Sequence, residues 1–364
     1  TSNEVTEREI RNKNISRKAA TEGVVLLKND NNALPLNLDG VKTIGVIGPN
    51  ANNRRALKGN YEGTASRYVT VLEGIQDYVG DKARVLYSEG CALFRDRVEF
   101  LAEPNDRISE VKGICDESDV VIAVMGLDSG LEGEEGDQGN MYRSGDKPDL
   151  KFPKTQQKLI DLVIAEGKPF ITVVMAGSAM DLSVLNDKSS AILQAWYPGA
   201  RGGQAIGDIL FGKVNPSGKL PVTFYKDTND LPDFEDYSMK GRTYRYIETE
   251  PLYPFGYGLT YGKMDITSVA NTGDKANGIT VKAEIANTGD IKTSEVVQVY
   301  MKADDPNEVK NTRLVAFTRI TLEAGANGSV ELTIPAERFK VVNEKGEKVD
   351  PVVAADVVII DSTN

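Results

Sequence analysis

Residues 119–127 read DVVIAVMGL, an almost uninterrupted apolar run that opens on an aspartate and ends at a glycine. A strand with one solvated face alternates apolar and polar residues, whereas a continuous apolar run is typical of a parallel sheet covered on both faces. This stretch therefore predicts a mostly parallel α/β sheet. Whatever follows it should lie at the carboxyl edge of that sheet, where such folds bind ligands.

The segments on either side alternate between strand and helix patterns, which is the signature of an α/β fold. The predicted strands are VKTIGVI (41–47), ARVLYSEG (83–90), PFITVVMAG (169–177) and SSAILQAWYPG (189–199). The predicted helices are residues 7–30, RISEVKGICDES (107–118), PKTQQKLIDLVIAEG (153–167) and RGGQAIGDILFG (201–212). Apolar residues at helical spacing, among them Ile10, Ile15, Ala19 and Val24, underlie the first helix.

The composition changes after about Asp227. Residues 227–262 are rich in Tyr, Pro and Gly and show neither the helical nor the strand period of apolar residues. This indicates a long segment that crosses over the α/β domain. From Lys263 onward the apolar period is two, with turn signals about every ten residues, as in an immunoglobulin-like β-sandwich. The predicted organisation is a helical lead-in (1–35), an α/β domain (36–226), a linker (227–262) and a β-sandwich (263–364).

Composition excludes several classes of site. The net charge of −11 argues against nucleic acid and anionic membranes as partners. The 364 residues include no histidine, which excludes a Ser-His-Asp triad and histidine-ligated zinc in this chain. The two cysteines, Cys91 and Cys115, are expected to be buried thiols, with a disulfide as the alternative. Neither a metal nor an organic cofactor is required, and a cytoplasmic location is favoured unless the N-terminus has been processed.

The loop after the opening stretch, GLDSGLEGEEGDQGN (126–140), is dense in carboxylates. They are Asp128, Glu132, Glu134, Glu135 and Asp137. Glycoside hydrolysis uses a pair of carboxyl groups, one of which must act as an acid. Like-charged neighbours raise the pKa of that acidic group. A solvated acidic loop and a calcium loop are the alternatives, although the loop lacks the EF-hand pattern.

Aromatic side chains provide candidates for stacking on a sugar ring. They are Trp196, Tyr197, Tyr244, Tyr246 and Tyr257, and packing in the core or the crossing segment is the alternative role for each. Residues 44–50, IGVIGPN, match a dinucleotide-binding loop poorly, and AGSAMD (176–181) resembles neither a nucleophile elbow nor a P-loop.

Several ordered stretches resemble glycoside hydrolase family 3 enzymes of the β-glucosidase and β-xylosidase kind. They include LEGEEGD (131–137), YPGARGGQAIGDILFGKVNPSGKLP (197–221) and PFGYGLTY (254–261). The resemblance covers nearly the whole chain and implies an (α/β)6 sandwich followed by a fibronectin type III-like domain. It implies a retaining, exo-acting enzyme whose general acid/base is a glutamate of the acidic loop. Glu134 is the first choice, Glu132 the second and Glu135 the third, with Asp137, Trp196 and Tyr197 as substrate-binding residues.

The chain departs from that family in one large respect. Family 3 enzymes carry their nucleophilic aspartate on a (β/α)8 barrel, usually within a Ser-Asp-Trp-like motif. The chain has neither that motif nor a run of eight βα units. We therefore expect a barrel domain or subunit as the partner, and negligible activity from this chain alone. The start of the chain fits an order in which the barrel follows the fibronectin-like domain.

The resemblance implies β-linked gluco- or xylo-oligosaccharides or aryl glycosides as substrates. GNYEG (59–63) and LEGEE (131–135) favour the xylosidase branch, but glucosidases share much of this sequence. The sequence allows a homo-oligomer. Two other functions stay open: a non-catalytic carbohydrate-binding or assembly module, and an unrelated α/β ligand-binding protein.

Overall fold

The computed structural model describes residues 5–95, 106–133, 147–302, 305, 308–351 and 356–360. The chain folds into two compact units, one of residues 1–218 with 226–228 and the other of residues 219–225 with 229–364. The predicted domain limits at residues 36, 227 and 263 stay predictions. No helix in the described ranges is long and apolar enough to cross a membrane.

The first unit contains a six-stranded sheet in the order β1-β6-β5-β4-β2-β3. Its strands are β1 (Val25–Asn29), β2 (Thr43–Ile47), β3 (Arg84–Ser88), β4 (Val120–Gly126), β5 (Phe170–Met175) and β6 (Ala191–Gln194). All neighbours run parallel except β1, which pairs antiparallel with β6 at one edge. Every residue of β4 is buried. The mostly parallel sheet predicted from residues 119–127 is therefore confirmed.

Six helices accompany this sheet in the described part of the first unit. They are α1 (Glu7–Gly23), α2 (Val71–Val79), α3 (Asp106–Glu117), α4 (Lys154–Ala165), α5 (Ser183–Lys188) and α6 (Gly202–Leu210). Helices α2 and α6 approach so closely that a Cβ on Gly74 would lie 1.9 Å from the carbonyl oxygen of Gly203. Gly203, at the start of α6, therefore permits this close helix packing. The sequence did not predict α2 or α5.

The predicted helix over residues 7–30 is wrong in its last seven residues. Helix α1 begins with a capping box between Thr6 and Glu9 and ends at Gly23, and residues 25–29 form strand β1. The apolar run VVLL (24–27) is fully buried and pairs with β6. Burial at a sheet edge outweighs the helical spacing, while Ile10 and Ile15 on α1 stay exposed.

The second unit is a β-sandwich of two antiparallel three-stranded sheets, β11-β8-β7 and β10-β9-β14. Its main strands are β7 (Met264–Asp274), β8 (Gly278–Asn287), β9 (Thr293–Lys302), β10 (Arg313–Leu322), β11 (Asn327–Ile334) and β14 (Asp356–Ile360). A short helix and a short hairpin complete the unit: α7 (Thr243–Tyr246), β12 (Val341–Val342) and β13 (Lys348–Val349). Both sheets contribute to the core, for example Val281, Val299, Ile334 and Phe339. The predicted sandwich is confirmed.

The two cysteines are not joined by a disulfide. Cys115 is a buried thiol, as predicted, whereas the prediction of burial is wrong for Cys91, which is half-buried. Burial raises the pKa of the Cys115 thiol to about 11, so this side chain is an unreactive apolar filler of the core.

Candidate active site

The acidic loop leaves the sheet at Gly126, where a side chain cannot be accommodated. Gly126 has φ +140°, and a Cβ there would lie 2.0 Å from the carbonyl oxygen of Met175 on β5. Only glycine meets both conditions without strain. The chain therefore leaves the sheet at a fixed angle, close against the neighbouring strand.

The side chain of Gln156, at the start of α4, forms hydrogen bonds with the backbone at the point where the loop leaves the sheet. Its Oε1 accepts from the amide of Gly126 at 2.9 Å, and its Nε2 donates to the carbonyls of Gly126 at 2.6 Å and Leu93 at 2.7 Å. The side chain is completely buried. Nothing predicted from the sequence involved Gln156. The sequence feature that could have identified Gln156 is its position as a polar residue on the apolar face of α4, in line with Leu159, Ile160 and Val163.

Asp128 shapes the first turn of the loop. Its Oδ1 accepts from the backbone amides of Gly130 at 2.9 Å and Leu131 at 3.1 Å, and its Oδ2 lies 3.5 Å from Nε of Arg55. The residue is buried, at 7% exposure. This carboxylate, part of the predicted acidic cluster, therefore stabilises the turn that leads to Glu132.

Glu132 is held by donors from two other strand ends. Its Oε2 accepts from the amide of Gly177 at 2.6 Å and from the hydroxyl of Tyr197. Its Oε1 accepts from the hydroxyl of Ser178 and lies 4.0 Å from Nζ of Lys147. Gly177 and Ser178 follow β5, and Tyr197 follows β6. The carboxylate thus ties the loop after β4 to the carboxyl ends of two neighbouring strands.

Burial shifts the pKa values of two groups beside Glu132. Burial, and then the Glu132 carboxylate, raise the pKa of the Tyr197 phenol, so Tyr197 is a permanent hydrogen-bond donor. Burial lowers the pKa of Lys147, whose Nζ also donates to the carbonyl of Ala179 at 2.6 Å. Gly177 leaves room for this arrangement, since a Cβ there would lie 2.8 Å from the ring of Tyr197.

The structure brings together some of the predicted site residues and not others. Tyr197 contacts Glu132, as described above. Trp196 is half-buried and its indole nitrogen donates to the carbonyl of Gly23 at 3.0 Å, so the ring packs beside the end of α1. Glu134, Glu135 and Asp137 lie outside the described residues.

The other aromatic candidates belong to the second unit. Tyr244 stacks on Phe255 with ring centroids 4.0 Å apart, and Tyr257 stacks on Tyr253 at 5.4 Å. These contacts account for both rings as packing. Within the described ranges, no group of three or more acidic or cysteine side chains is arranged to hold a metal ion.

Comparison with known proteins connects this geometry to a family. The model of the glycosyl hydrolase family 3 C-terminal domain matches residues 24–261, and that of a fibronectin type III-like domain matches residues 295–357. The chain belongs to glycoside hydrolase family 3. The acidic loop and all the Glu132 contacts lie within the first match, so they are part of the family 3 C-terminal domain.

Characterised relatives of this family 3 chain are glycosidases. It is 35% identical to a periplasmic beta-glucosidase of Salmonella typhimurium and 33% identical to a beta-xylosidase of Formosa agariphila, each match covering 91% of this chain and 46% of the relative. Its fold matches the β-glucosidase EmGH1 of Erythrobacter marinus with a TM-score of 0.81 and 27% identity, covering 96% of this chain and 50% of that one. The chain thus spans about half the length of these family 3 relatives.

Proposed function

We propose that this family 3 chain supplies the general acid/base glutamate, Glu134, of a retaining, exo-acting β-glycosidase. The nucleophilic aspartate lies on a (β/α)8 barrel, in the same polypeptide or in a separate chain. β-Linked gluco- or xylo-oligosaccharides are the substrates, in keeping with the names of the relatives. In a retaining mechanism the two carboxyl groups lie roughly 5–5.5 Å apart, so the site forms where the barrel meets the acidic loop.

The observation that carries this proposal is the anchored carboxylate of Glu132. Donors from Gly177, Ser178 and Tyr197, together with the nearby Lys147, occupy both of its oxygens. A carboxyl group in this role fixes the start of the loop. Glu134 follows only two residues later, and two residues of extended chain span about 7 Å. The anchor therefore favours Glu134 as the carboxyl group presented to substrate, and assigns Glu132 to positioning.

Leaving-group dependence tests this assignment, with the chain joined to its barrel. A general acid matters most when the leaving group needs a proton, so Glu134→Gln should lower hydrolysis of unactivated disaccharides about 10²–10⁴-fold. The kcat/KM for dinitrophenyl glycosides, whose leaving group departs without a proton, should fall much less, whereas their kcat should fall because Glu134 is also the general base of the deglycosylation step. Glu132→Gln should give a smaller loss with the same dependence on the leaving group, because it displaces the loop that carries Glu134.

The alternative is a non-catalytic carbohydrate-binding or assembly module. It would be favoured if Glu134→Gln left turnover of both substrates intact. A leaving-group-dependent loss in Glu132→Gln, with none in Glu134→Gln, would exchange the two roles. Activity of the 364-residue chain on its own would contradict the shared site, because the nucleophile would then have to lie among its own carboxylates.

A further inference from the structure

A cleft of about 1170 Å³ opens at the carboxyl edge of the sheet in the first unit. Its walls come from the segments that follow three adjacent strands: Asn52 and Arg54 after β2, Glu89 after β3, and Ser129 and Leu131 after β4. This is the edge at which α/β sheets bind ligands. The proposed acid/base assignment uses none of the residues after β2 or β3.

Positive charge dominates the described lining of this cleft. Four arginines, Arg54, Arg55, Arg95 and Arg107, face two carboxylates, Glu89 and Asp128. The chain as a whole carries −11, so the excess of arginine here runs against the average charge of the protein. A local field of this sign concentrates anions at the cleft.

The arginines keep donors available for a ligand. Arg107 lies 2.9 Å from Glu89, whereas Arg54 is 3.8 Å from its partner Glu73, beyond hydrogen-bond distance. The side chains of Arg54 and Arg107 are 67% and 43% exposed. Because a guanidinium offers five N–H donors, one carboxylate partner leaves most of them free for a second anion.

The rest of the lining suits a sugar ring. Tyr87 and Phe94 contribute aromatic surface, and the asparagines at positions 52, 53 and 60 contribute amide groups. Aromatic faces pack against the C–H faces of sugars, and amides exchange hydrogen bonds with hydroxyls. A neutral sugar would need only these two kinds of group, so the arginines point to an additional charge on the ligand.

We propose that this cleft binds an anionic sugar unit, with a carboxylate or a sulfate ester held by Arg54 and Arg107. Planar guanidinium groups bind such oxyanions through paired N–H donors. Ser129 and Leu131, which begin the acidic loop, form one wall of the cleft. Placement of the anionic unit on the leaving-group side of the glycosidic bond rests on the proposed function, whereas binding itself does not.

Titration of the 364-residue chain tests the proposal. Methyl β-glucuronide, glucose 6-sulfate and methyl β-glucoside would be added at low salt, with binding followed by ligand-observed NMR. At least one anionic probe should saturate and bind at least tenfold more tightly than the neutral glucoside, and which one does so identifies the acidic group. Binding should weaken as salt rises.

Variants locate the site within the chain. Arg54→Gln and Arg107→Gln should each weaken binding of the anionic probe about three- to tenfold. Arg84→Gln is the matched control, because Arg84 is also exposed and paired with a carboxylate, Glu117, but lies outside the cleft. Arg55 is left intact because its guanidinium packs on Gly130 and supports the loop.

Three outcomes would overturn the proposal. They are equal binding of the neutral and anionic probes, no binding of either anion, and equal losses in the cleft variants and in Arg84→Gln. Since the readout is binding to this chain, a failure here leaves the acid/base assignment untouched. A failure of that assignment likewise leaves the anion site standing.

Discussion

The phenol of Tyr197 donates a hydrogen bond to Oε2 of Glu132, across the end of the strand that separates them in the sheet. Tyr197 follows β6 and Glu132 follows β4, while Gly177 and Ser178 after β5 donate to the same carboxylate. One side chain therefore connects the carboxyl ends of three adjacent strands. The start of the acidic loop is therefore held in one position. A catalytic carboxyl group on the loop needs such a fixed position to meet its substrate in the reactive geometry.

Removal of the Tyr197 hydroxyl should weaken the anchoring of the acidic loop without unfolding the protein. In the barrel-containing enzyme, we expect Tyr197→Phe to lower kcat about tenfold and to reduce the free energy of unfolding by about 1 kcal/mol. Steady-state kinetics and urea denaturation provide the measurements. Tyr78→Phe is the control, since the Tyr78 hydroxyl makes a 3.2 Å bond to the carbonyl of Phe211. An equal loss of kcat in both variants would contradict the role given to Tyr197.

Gln156→Leu should be strongly destabilising. The substitution removes the partner of the amide and the carbonyl of Gly126, which are buried, and of the carbonyl of Leu93, which is half-buried. Each unsatisfied buried group costs about 1–3 kcal/mol, so the two groups of Gly126 alone should lower the free energy of unfolding by at least about 2 kcal/mol.

Gln157→Leu is the control for that substitution. Gln157 is adjacent, exposed, and makes one hydrogen bond, to the carbonyl of Phe152. Its loss should change the free energy of unfolding by less than about 1 kcal/mol. Similar urea midpoints for the two variants would show that Gln156 does not hold the loop.

Gly177→Ala should separate activity from stability. The new Cβ would lie 2.8 Å from the ring of Tyr197 and 3.2 Å from Oε2 of Glu132. Both groups must therefore move away from residue 177. Activity of the barrel-containing enzyme should fall at least tenfold, while the melting temperature drops by only a few degrees. Gly113→Ala, in an open position on α3, should instead be neutral or stabilising by about 0.5–1 kcal/mol. Unchanged kinetics in Gly177→Ala would count against the anchored loop.

Asp119 should contribute to acid unfolding. The backbone amide of Thr43, followed by that of Lys42, lowers the pKa of this carboxyl below its ordinary value. A group with a lowered folded-state pKa stabilises the protein above its unfolded pKa and loses that contribution as pH falls through the folded value. The stability advantage of the wild type over Asp119→Asn should therefore be largest near neutral pH and shrink below about pH 4. Urea denaturation at several pH values measures this difference, and a constant difference would contradict the linkage.

The residues that could be interpreted from sequence are those whose pattern is local. In β4 and in the period-two strands of the second unit, the spacing of the apolar residues itself indicates which side chains are buried. Both kinds of sheet were therefore predictable from the sequence. Residues 25–29 were not, because their strand state depends on pairing with β6, far along the chain. The acidic loop was recognisable from composition. The division of labour between Asp128 as turn former and Glu132 as anchor depends on tertiary contacts and was not recognisable.

The edge strand β1 has a consequence for how the chain folds as it is made. Helix α1, which leads into β1, is held by residues far along the chain: Arg17 pairs with Asp208, 191 residues later, and the indole of Trp196 donates to the carbonyl of Gly23 across 173 residues. Contacts so distant in sequence form slowly, because a long loop must close first. On the ribosome, the VVLL segment must therefore wait, apolar and unpaired, until the sheet's last strand has emerged. The charged residues of α1 flank this segment, and flanking charges of this kind oppose association between unfolded chains.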